Sequence, residues 1–181
     1  MKKFYLLSLF FLFTCYNYAQ KNELNTGPII KDYGSSYSIK KVDLKLDTNK
    51  KYKVIFDVFT DNSKEGKVNP LINTVARYMN MHAEQGVKLK NMKTVLILHG
   101  RATKSVLNDK AFEKKYNRQN PNSKLIKALN KADVEIFVCG QSLLFNGFEL
   151  KDVSKNVKVS LSALTALIQY QENGYQLINF N

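Results

Sequence analysis

VEIFVCGQSLLFNG, residues 134–147, joins an apolar run to a cysteine, a glycine and a polar stretch that can begin a helix. Its first five residues are mostly β-branched or aromatic, which predicts a buried strand. A strand that turns directly into a helix is the building unit of parallel α/β proteins. The stretch also puts Cys139 at a strand end, so its sulfur is the first candidate for chemistry.

The rest of the chain repeats this alternation of strand and helix. Pro70 begins a helix that Asn69 caps and Gly86 ends, and its apolar residues recur at helical spacing. Two more helices are predicted, one from Pro121 and one over residues 163–174. Five apolar runs of strand length lie between the helices: 52–59, 94–99, 134–140, 157–162 and 175–180. The alternation predicts a three-layer α/β/α fold with a five-stranded, mostly parallel sheet.

Residues 1–19 have the layout of a secretory signal peptide. Lys2 and Lys3 precede the apolar run FYLLSLFFLF, and Ala19 suits a cleavage site before Gln20. The apolar run is too short to span a bilayer comfortably. We therefore expect an exported protein, periplasmic or secreted, with no membrane association after cleavage. A lipoprotein anchored at Cys15 is the less favoured alternative, because the residues before it are bulky.

Residues 20–49 are predicted to be an extended arm ahead of a domain formed by residues 50–181. Turn-forming residues punctuate the arm, and YSIKKVDLKL, residues 37–46, alternates weakly between apolar and polar positions. The alternation predicts one edge strand. The arm is expected to pack either on its own domain or on a neighbouring subunit.

The charge of the chain favours a solvated basic surface over a specific nucleic-acid interface. The net charge of +13 includes Lys2 and Lys3, and only Arg77, Arg101 and Arg118 of the 28 basic residues are arginines. Proteins that read phosphates and bases usually exploit the guanidinium group. We expect no specific nucleic-acid partner. Loose, salt-sensitive attraction to anionic polymers is the remaining alternative.

Cleavage of the signal peptide would leave Cys139 as the single thiol. A cysteine at the start of a helix gains thiolate character from the helix dipole, and the amide of Gly140 can approach its sulfur. Gln141 and Ser142 follow as hydrogen-bond donors. The alternative is that Cys139 simply packs as a small apolar residue.

Other polar side chains are expected beside Cys139, because ligands of parallel sheets bind outside the carboxyl ends of the strands. Asp57 or Asp61 follows the first strand and His99 the second. His99 either assists the thiolate or bonds to its own loop. Gly100 opens a polar connection, residues 100–120, which is expected to be a lid with a short helix or a mobile loop. The candidate binding residues are Gly140, Gln141, Ser142, Asp57, Asn69 and Gly100.

The sequence offers no recognisable site for a metal or a cofactor. Two histidines and one mature cysteine stand at unrelated spacings, so a zinc site is not expected. The glycines lack the spacing and the lysine of a phosphate-binding loop. We therefore expect neither a metal nor a cofactor.

Residues 134–147 and 157–180 together resemble the DsrE/DsrF-like family, and in particular its exported branch. The resemblance lies in Cys-Gly-Gln-Ser at a strand end, in the Asn-Pro-Asn helix start before it and in the Leu-Ser-Ala start of the last helix, and it covers about 52–180. It implies a DsrE-like fold of flavodoxin-like general architecture, homo-oligomerisation, and Cys139 at the position of the sulfur-carrying cysteine. Asn146 and Gly147 stand where relay members have Arg-Gly.

Two functions follow as hypotheses. The first is an exported persulfide carrier or thiol-based redox protein that uses Cys139 and His99 and receives sulfur from a donor protein or a small thiol. The second is a non-catalytic, oligomeric binding module, with a pocket at the strand ends for a small molecule or a protein.

Overall fold

The structure, a computed structural model, describes residues 24–180. The expected signal peptide, residues 1–19, and the alternative anchor Cys15 lie outside the described residues. The strands are β1 (Leu24–Asn25), β2 (Ser36–Tyr37), β3 (Tyr52–Val58), β4 (Met92–Leu98), β5 (Glu135–Cys139), β6 (Lys158–Ser160) and β7 (Gln176–Asn179). The α-helices are α1 (Pro70–Glu84), α2 (Asp109–Tyr116), α3 (Ser123–Lys131), α4 (Gly140–Phe145) and α5 (Ala163–Glu172). Among them, no helix is long and apolar enough to cross a membrane.

Five strands form one parallel sheet in the order β6-β5-β4-β3-β7. The chain steps in one direction from β3 to β6, and α5 then carries it back across the sheet to the opposite edge. Because such crossovers are right-handed, reversing the direction moves the connecting helix to the other face. The predicted three-layer fold with a parallel sheet is confirmed.

The two faces of the sheet bury separate cores. Alternate strand residues such as Phe56, Leu96 and Ile136 pack against α1 and α3. The residues between them, including Ile55 and Ile97, pack against α5. Burial on both faces explains the nearly continuous apolar runs of the strands. Cys139 belongs to the core on the α5 side.

Helix α1 begins as its sequence predicts, whereas α3 begins later than expected. The Asn69 side chain accepts a hydrogen bond from the amide of Leu71 at 2.9 Å, and Pro70 occupies the first turn. Helix α3 starts at Ser123 and not at Pro121. The reason is that Asn122 sits in a turn, where its side-chain oxygen accepts the amide of Asn69 at 2.7 Å.

The described part of the arm packs on its own domain, through Asn80 of α1. This side chain is fully buried, and its oxygen accepts the amides of Ile29 and Ile30 at 3.2 and 2.9 Å. Its nitrogen donates to the carbonyl oxygens of Ile30 and Tyr33 at 3.0 and 2.9 Å. The Asn80 side chain therefore provides the hydrogen bonds that backbone groups of residues 29–33 would make in a sheet.

The edge strand predicted over residues 37–46 is wrong. Only Tyr37 lies in a strand, where β2 pairs with β1. The remainder runs beside the end of α1, where Gln85 donates to the carbonyl oxygen of Ile39 at 3.2 Å. Because this segment crosses a helix, no strand edge is available for it to pair with.

Residues 100–120 contain the expected short helix but form a packed segment. A 3-10 helix spans Gly100–Val106 and α2 follows it. Ala102, Val106, Leu107 and Phe112 are buried. The amide of Ala102 donates to the carbonyl oxygen of Phe59 at 3.1 Å. The segment thus lies over the carboxyl end of the sheet as part of the core.

Candidate functional site

The carboxyl ends of three neighbouring strands bring Asp57, His99 and Cys139 to one edge. Leu98 is paired with Val138, so His99 and Cys139 are the next residues of adjacent strands. Cys139 is paired in turn with Ser160 of β6. The sequence had indicated that Asp57 follows the first strand. In the structure it is instead the penultimate residue of β3. Asp61 lies in the loop beyond and binds Lys104 instead, at 3.3 Å.

Cys139 ends β5 and caps α4 at the same time. Its sulfur accepts a hydrogen bond from the amide of Ser142 at 3.3 Å. Gly140 is needed beside it, because a Cβ there would lie 2.9 Å from the carbonyl oxygen of Ser160. The role of Gly140 is therefore to let α4 approach β6 closely. Cys139 itself is only 4% exposed.

Several donors converge on the Cys139 sulfur and favour its anionic form. Burial raises the pKa of this thiol, but hydrogen bonds from the Ser142 side chain and from the amides of Ser142, Ala163 and Gln141 lower it, and the net pKa lies below the ordinary value. Ala163 is the first residue of α5, so the amides that lower this pKa belong to two different elements. This arrangement stabilises a thiolate at the end of β5.

The His99 side chain is held by Asp57. The alternative that it bonds to its own loop is wrong. Its Nε2 lies 2.9 Å from Asp57 Oδ1, and the Phe59 ring lies 5.1 Å from the imidazole ring. No hydrogen bond joins His99 to Cys139 in the described structure. The pair stands beside the thiol at the same edge, with the imidazole partly exposed.

A second set of contacts links the ends of β4 and β5. The amide of Gly100 donates to the Ser142 hydroxyl oxygen at 3.1 Å. The Asn146 side chain donates to the carbonyl oxygens of Gly100 and Ser142 at 3.3 and 2.6 Å. Gly100 has a φ of +53°, and the Phe59 ring fills the space where a Cβ would be. Gly100 and Ser142 thus belong to the surroundings of Cys139.

Asn69 belongs to a different cluster. Its side chain is fully buried, caps α1 and donates to the carbonyl oxygen of Thr60 at 3.0 Å. Its amide reaches Asn122, which is itself held by Asn120. Both polar atoms of the Asn69 side chain are thus engaged within the fold. The side chain of Gln141, by contrast, points to the exposed surface and only its amide serves the thiol.

Sequence reasoning missed Ser160, Ala163 and the position of Asn146. Ser160 ends β6, the strand next to Cys139, and Ala163 begins the helix after it. The Leu-Ser-Ala helix start was the available signal. This signal points to Cys139 only if β6 lies beside β5, and the alternation of strands and helices does not specify the order of the strands.

Exposed apolar side chains lie on α4, on α5 and just after β6, the elements next to the buried thiol. Phe145 of α4 is 92% exposed, and Leu144, Leu161 and Leu164 are exposed as well. A cleft of about 590 Å³ lies between α5 and strands β5 and β6, with Phe137 and Ser160 in its lining. Phe137 also packs in the same core as Cys139. Within residues 24–180, no group of three or more metal-ligating side chains is present.

Comparison with known proteins adds two solved structures and a family. MTH1491 from Methanobacterium thermoautotrophicum, a protein of unknown function, is 20% identical with a TM-score of 0.55. The ychN protein from E. coli is 15% identical with a TM-score of 0.51. Each comparison covers 71% of this chain and 99% of the other, and at these identities shows a shared fold. Comparison with curated protein sequences gave no match. The model of the DsrE/DsrF-like family matches residues 53–180, which is most of the chain, and the chain belongs to this family.

Proposed function

We propose that the protein is exported and carries sulfane sulfur as a persulfide on Cys139, which it receives from a donor protein or a small thiol. Membership of the DsrE/DsrF-like family supports a sulfur-relay-like or thiol-redox function. The observation that carries the proposal is the position of Cys139 at the end of β5 and the start of α4, where its sulfur accepts the Ser142 amide at 3.3 Å. Burial raises the pKa of this thiol, but hydrogen bonding from Ser142 and from the amides of Ala163 and Gln141 brings it below the ordinary value. A lowered pKa raises the fraction of the nucleophilic thiolate near neutral pH.

The transfer follows the course of thiol–disulfide exchange. The Cys139 thiolate attacks the outer sulfur of a donor persulfide, R–S–SH. A bond forms between the two sulfurs, the S–S bond of the donor breaks, and R–S⁻ leaves with the electron pair. The Cys139 sulfur is oxidised to the disulfide level and the inner sulfur of the donor is reduced to the thiol level. Passage of the persulfide proton to R–S⁻ then leaves Cys139–S–S⁻ and a neutral thiol.

His99 is the candidate group for that proton transfer. His99 directly follows β4, the strand that pairs with β5, and β5 ends at Cys139. Asp57 orients the imidazole through the 2.9 Å contact. An imidazole can take up and release a proton near neutral pH. The same donors that hold the thiolate, the amides of Gln141, Ser142 and Ala163, are suited to an anionic persulfide.

The remaining parts of the proposal concern export and assembly. Residues 1–19 act as a cleaved signal, so that the mature chain works in the periplasm or outside the cell. The mature chain assembles with copies of itself. The exposed apolar side chains of α4 and α5, with Phe145 the most exposed, supply a surface suited to such assembly.

Intact-mass measurement tests the carrier function. The mature protein is incubated with inorganic polysulfide, desalted and weighed beside the Cys139→Ser variant. We expect wild type to gain the mass of one sulfur atom and to lose it on treatment with a reductant, and the variant to gain nothing. An unchanged wild-type mass, or a gain that persists in Cys139→Ser, would refute the proposal.

The second candidate function is a non-catalytic, oligomeric binding module. It is favoured by the low exposure of Cys139 and by the cleft of about 590 Å³ beside it. Ligand pockets commonly have volumes in this range. This function predicts that iodoacetamide alkylates Cys139 far more slowly in the native protein than in the denatured protein at the same pH. The carrier function predicts native alkylation that approaches the denatured rate and follows the thiolate fraction.

A further inference from the structure

We infer that Asn146 is a positioning residue for Cys139, because its side-chain amide ties Gly100 to Ser142 and thereby turns the Ser142 hydroxyl proton toward the sulfur. The inference rests on the proposed function, since it concerns how the sulfur that would carry the persulfide is kept anionic. Asn146 makes no hydrogen bond to the sulfur in the described structure. It acts through Ser142.

The three residues form a closed ring of hydrogen bonds. The Gly100 amide donates to Ser142 Oγ at 3.1 Å, and Asn146 Nδ2 donates to the carbonyl oxygens of Gly100 and Ser142 at 3.3 and 2.6 Å. Gly100 follows the end of β4, while Ser142 and Asn146 belong to α4 and its cap. One amide group therefore fixes the end of one strand against the helix that follows the next strand.

The ring determines which way the Ser142 hydroxyl points. A serine hydroxyl has one proton and two lone pairs, and the Gly100 amide occupies a lone pair. The proton is then free for another acceptor, and the inference assigns it to the Cys139 sulfur. The Ser142 amide already donates to that sulfur at 3.3 Å. In keeping with this geometry, the Ser142 side chain is the foremost of the groups that lower the pKa of Cys139.

Asn173 provides a matched control for Asn146. Both asparagines follow the last residue of a helix and donate to the carbonyl oxygen four residues earlier, at 2.6 Å for Asn146 and 2.8 Å for Asn173. Asn146 also reaches a second element, at Gly100. Asn173 lies at the far end of α5 from Ala163, so its loss removes the same type of helix cap without touching the ring.

The test is a titration of the thiolate by its ultraviolet absorbance in the mature protein, with Cys139→Ser as the baseline. We expect Ser142→Ala to raise the midpoint by about one pH unit, the scale of one hydrogen bond to a charged group. Asn146→Ala should raise it by roughly half as much, because the hydroxyl stays but is no longer oriented. Asn173→Ala and Ser142→Thr should leave the midpoint close to that of wild type.

The elements packed around Cys139 carry several titratable or charged side chains. They are His99, which follows β4, Asp57 on β3, Arg101 in the 3-10 helix, Tyr170 on α5, and, at the far ends of their elements, Glu172 and the pair of Lys158 and Glu135. Repeating the titrations in a His99→Gln background removes the influence of the imidazole, and the shift caused by Asn146→Ala should persist there.

Two results would overturn the inference. One is a wild-type midpoint for Asn146→Ala alongside a raised midpoint for Ser142→Ala. The other is an equal shift for Asn173→Ala, which would indicate general loosening. If Asn146→Ala does not fold, Asn146→Gln makes the same test, since its amide lies one methylene farther from Gly100. The carrier proposal fails separately, by the absence of a sulfur adduct on wild type, and that failure would not move these midpoints.

Discussion

Asp57 Oδ1 lies 2.9 Å from His99 Nε2, and this pair stands at the strand ends next to Cys139. The carboxylate sits within a buried strand, whereas the imidazole follows one, so the polar contact spans two neighbouring strands. The contact gives the histidine a fixed orientation at the edge where the thiol lies.

Replacing Asp57 with Asn should slow sulfur acceptance. The amide keeps the size of the side chain but removes the carboxylate that holds the imidazole through the 2.9 Å contact. We expect the rate of adduct formation, followed by intact mass, to fall by roughly tenfold or more, as is typical when a proton-transfer group is impaired. Asp61→Asn is the control. Asp61 lies in the loop after β3, where it binds Lys104, and in the described structure it forms no ion pair with His99. Equal rates for Asp57→Asn and wild type would remove the pair from the mechanism.

The lowered pKa of Cys139 predicts that stability depends on pH. A thiol whose folded pKa lies below its unfolded pKa stabilises the fold once both states are ionised, above the unfolded value. That contribution is lost as the pH falls through the folded value. We therefore expect the free energy of unfolding of wild type, relative to Cys139→Ser, to rise with pH up to the ordinary thiol pKa. Urea denaturation over a pH series measures it, and a flat or falling difference would contradict the assigned direction.

Replacing Asn80 with Ala should release the arm from α1. The change leaves the buried amide of Ile30 and the partly buried amide of Ile29 without their partner. We expect a loss of roughly 2–4 kcal/mol in the free energy of unfolding, together with faster hydrogen exchange at these amides. Asn73→Ala is the matched control, since Asn73 accepts a single amide of the arm, that of Gly34 at 2.9 Å. Equal losses for the two variants would contradict the role given to Asn80.

Replacing Gly140 with Ala should disturb the thiol more than its small size suggests. The added Cβ would meet the backbone carbonyl oxygen of Ser160 at 2.9 Å, and a backbone atom cannot swing aside as a side chain can. We expect α4 and β6 to separate, at a cost of about 1–3 kcal/mol in the free energy of unfolding. The midpoint of thiolate titration should rise as the Ala163 amide withdraws from the sulfur. A wild-type midpoint in this variant would show that the close approach does not serve the sulfur.

Much of the architecture could be predicted because its signals are local. Asn69 and Pro70 mark the start of α1 by their own chemistry, and the apolar runs mark strands without knowledge of their partners. The strand-terminal position of Cys139 follows from the same reasoning. These features depend on neighbours in sequence, so the sequence contains the information directly.

The missing parts depend on which distant segments meet. The Ala163 amide acts on Cys139 because β6 lies beside β5. Asn146 matters because Gly100, which follows β4, lies beside α4, the helix that follows β5. The arm followed the same rule. Its weak alternation over residues 37–46 predicted a strand, yet this segment lies beside the end of α1, where Gln85 donates to the carbonyl oxygen of Ile39. In each case the decisive partner is far away in the chain, and a periodic pattern carries no information about it.

The position of β7 has a consequence for how the chain folds. This strand, the last in chain order, pairs with β3, the first strand of the sheet. One edge of β3 therefore stays open until nearly the whole chain is available, and pairing of such distant segments is slow. In a protein exported as proposed, this delay would keep the chain loose enough to cross a membrane and let the sheet close on the far side.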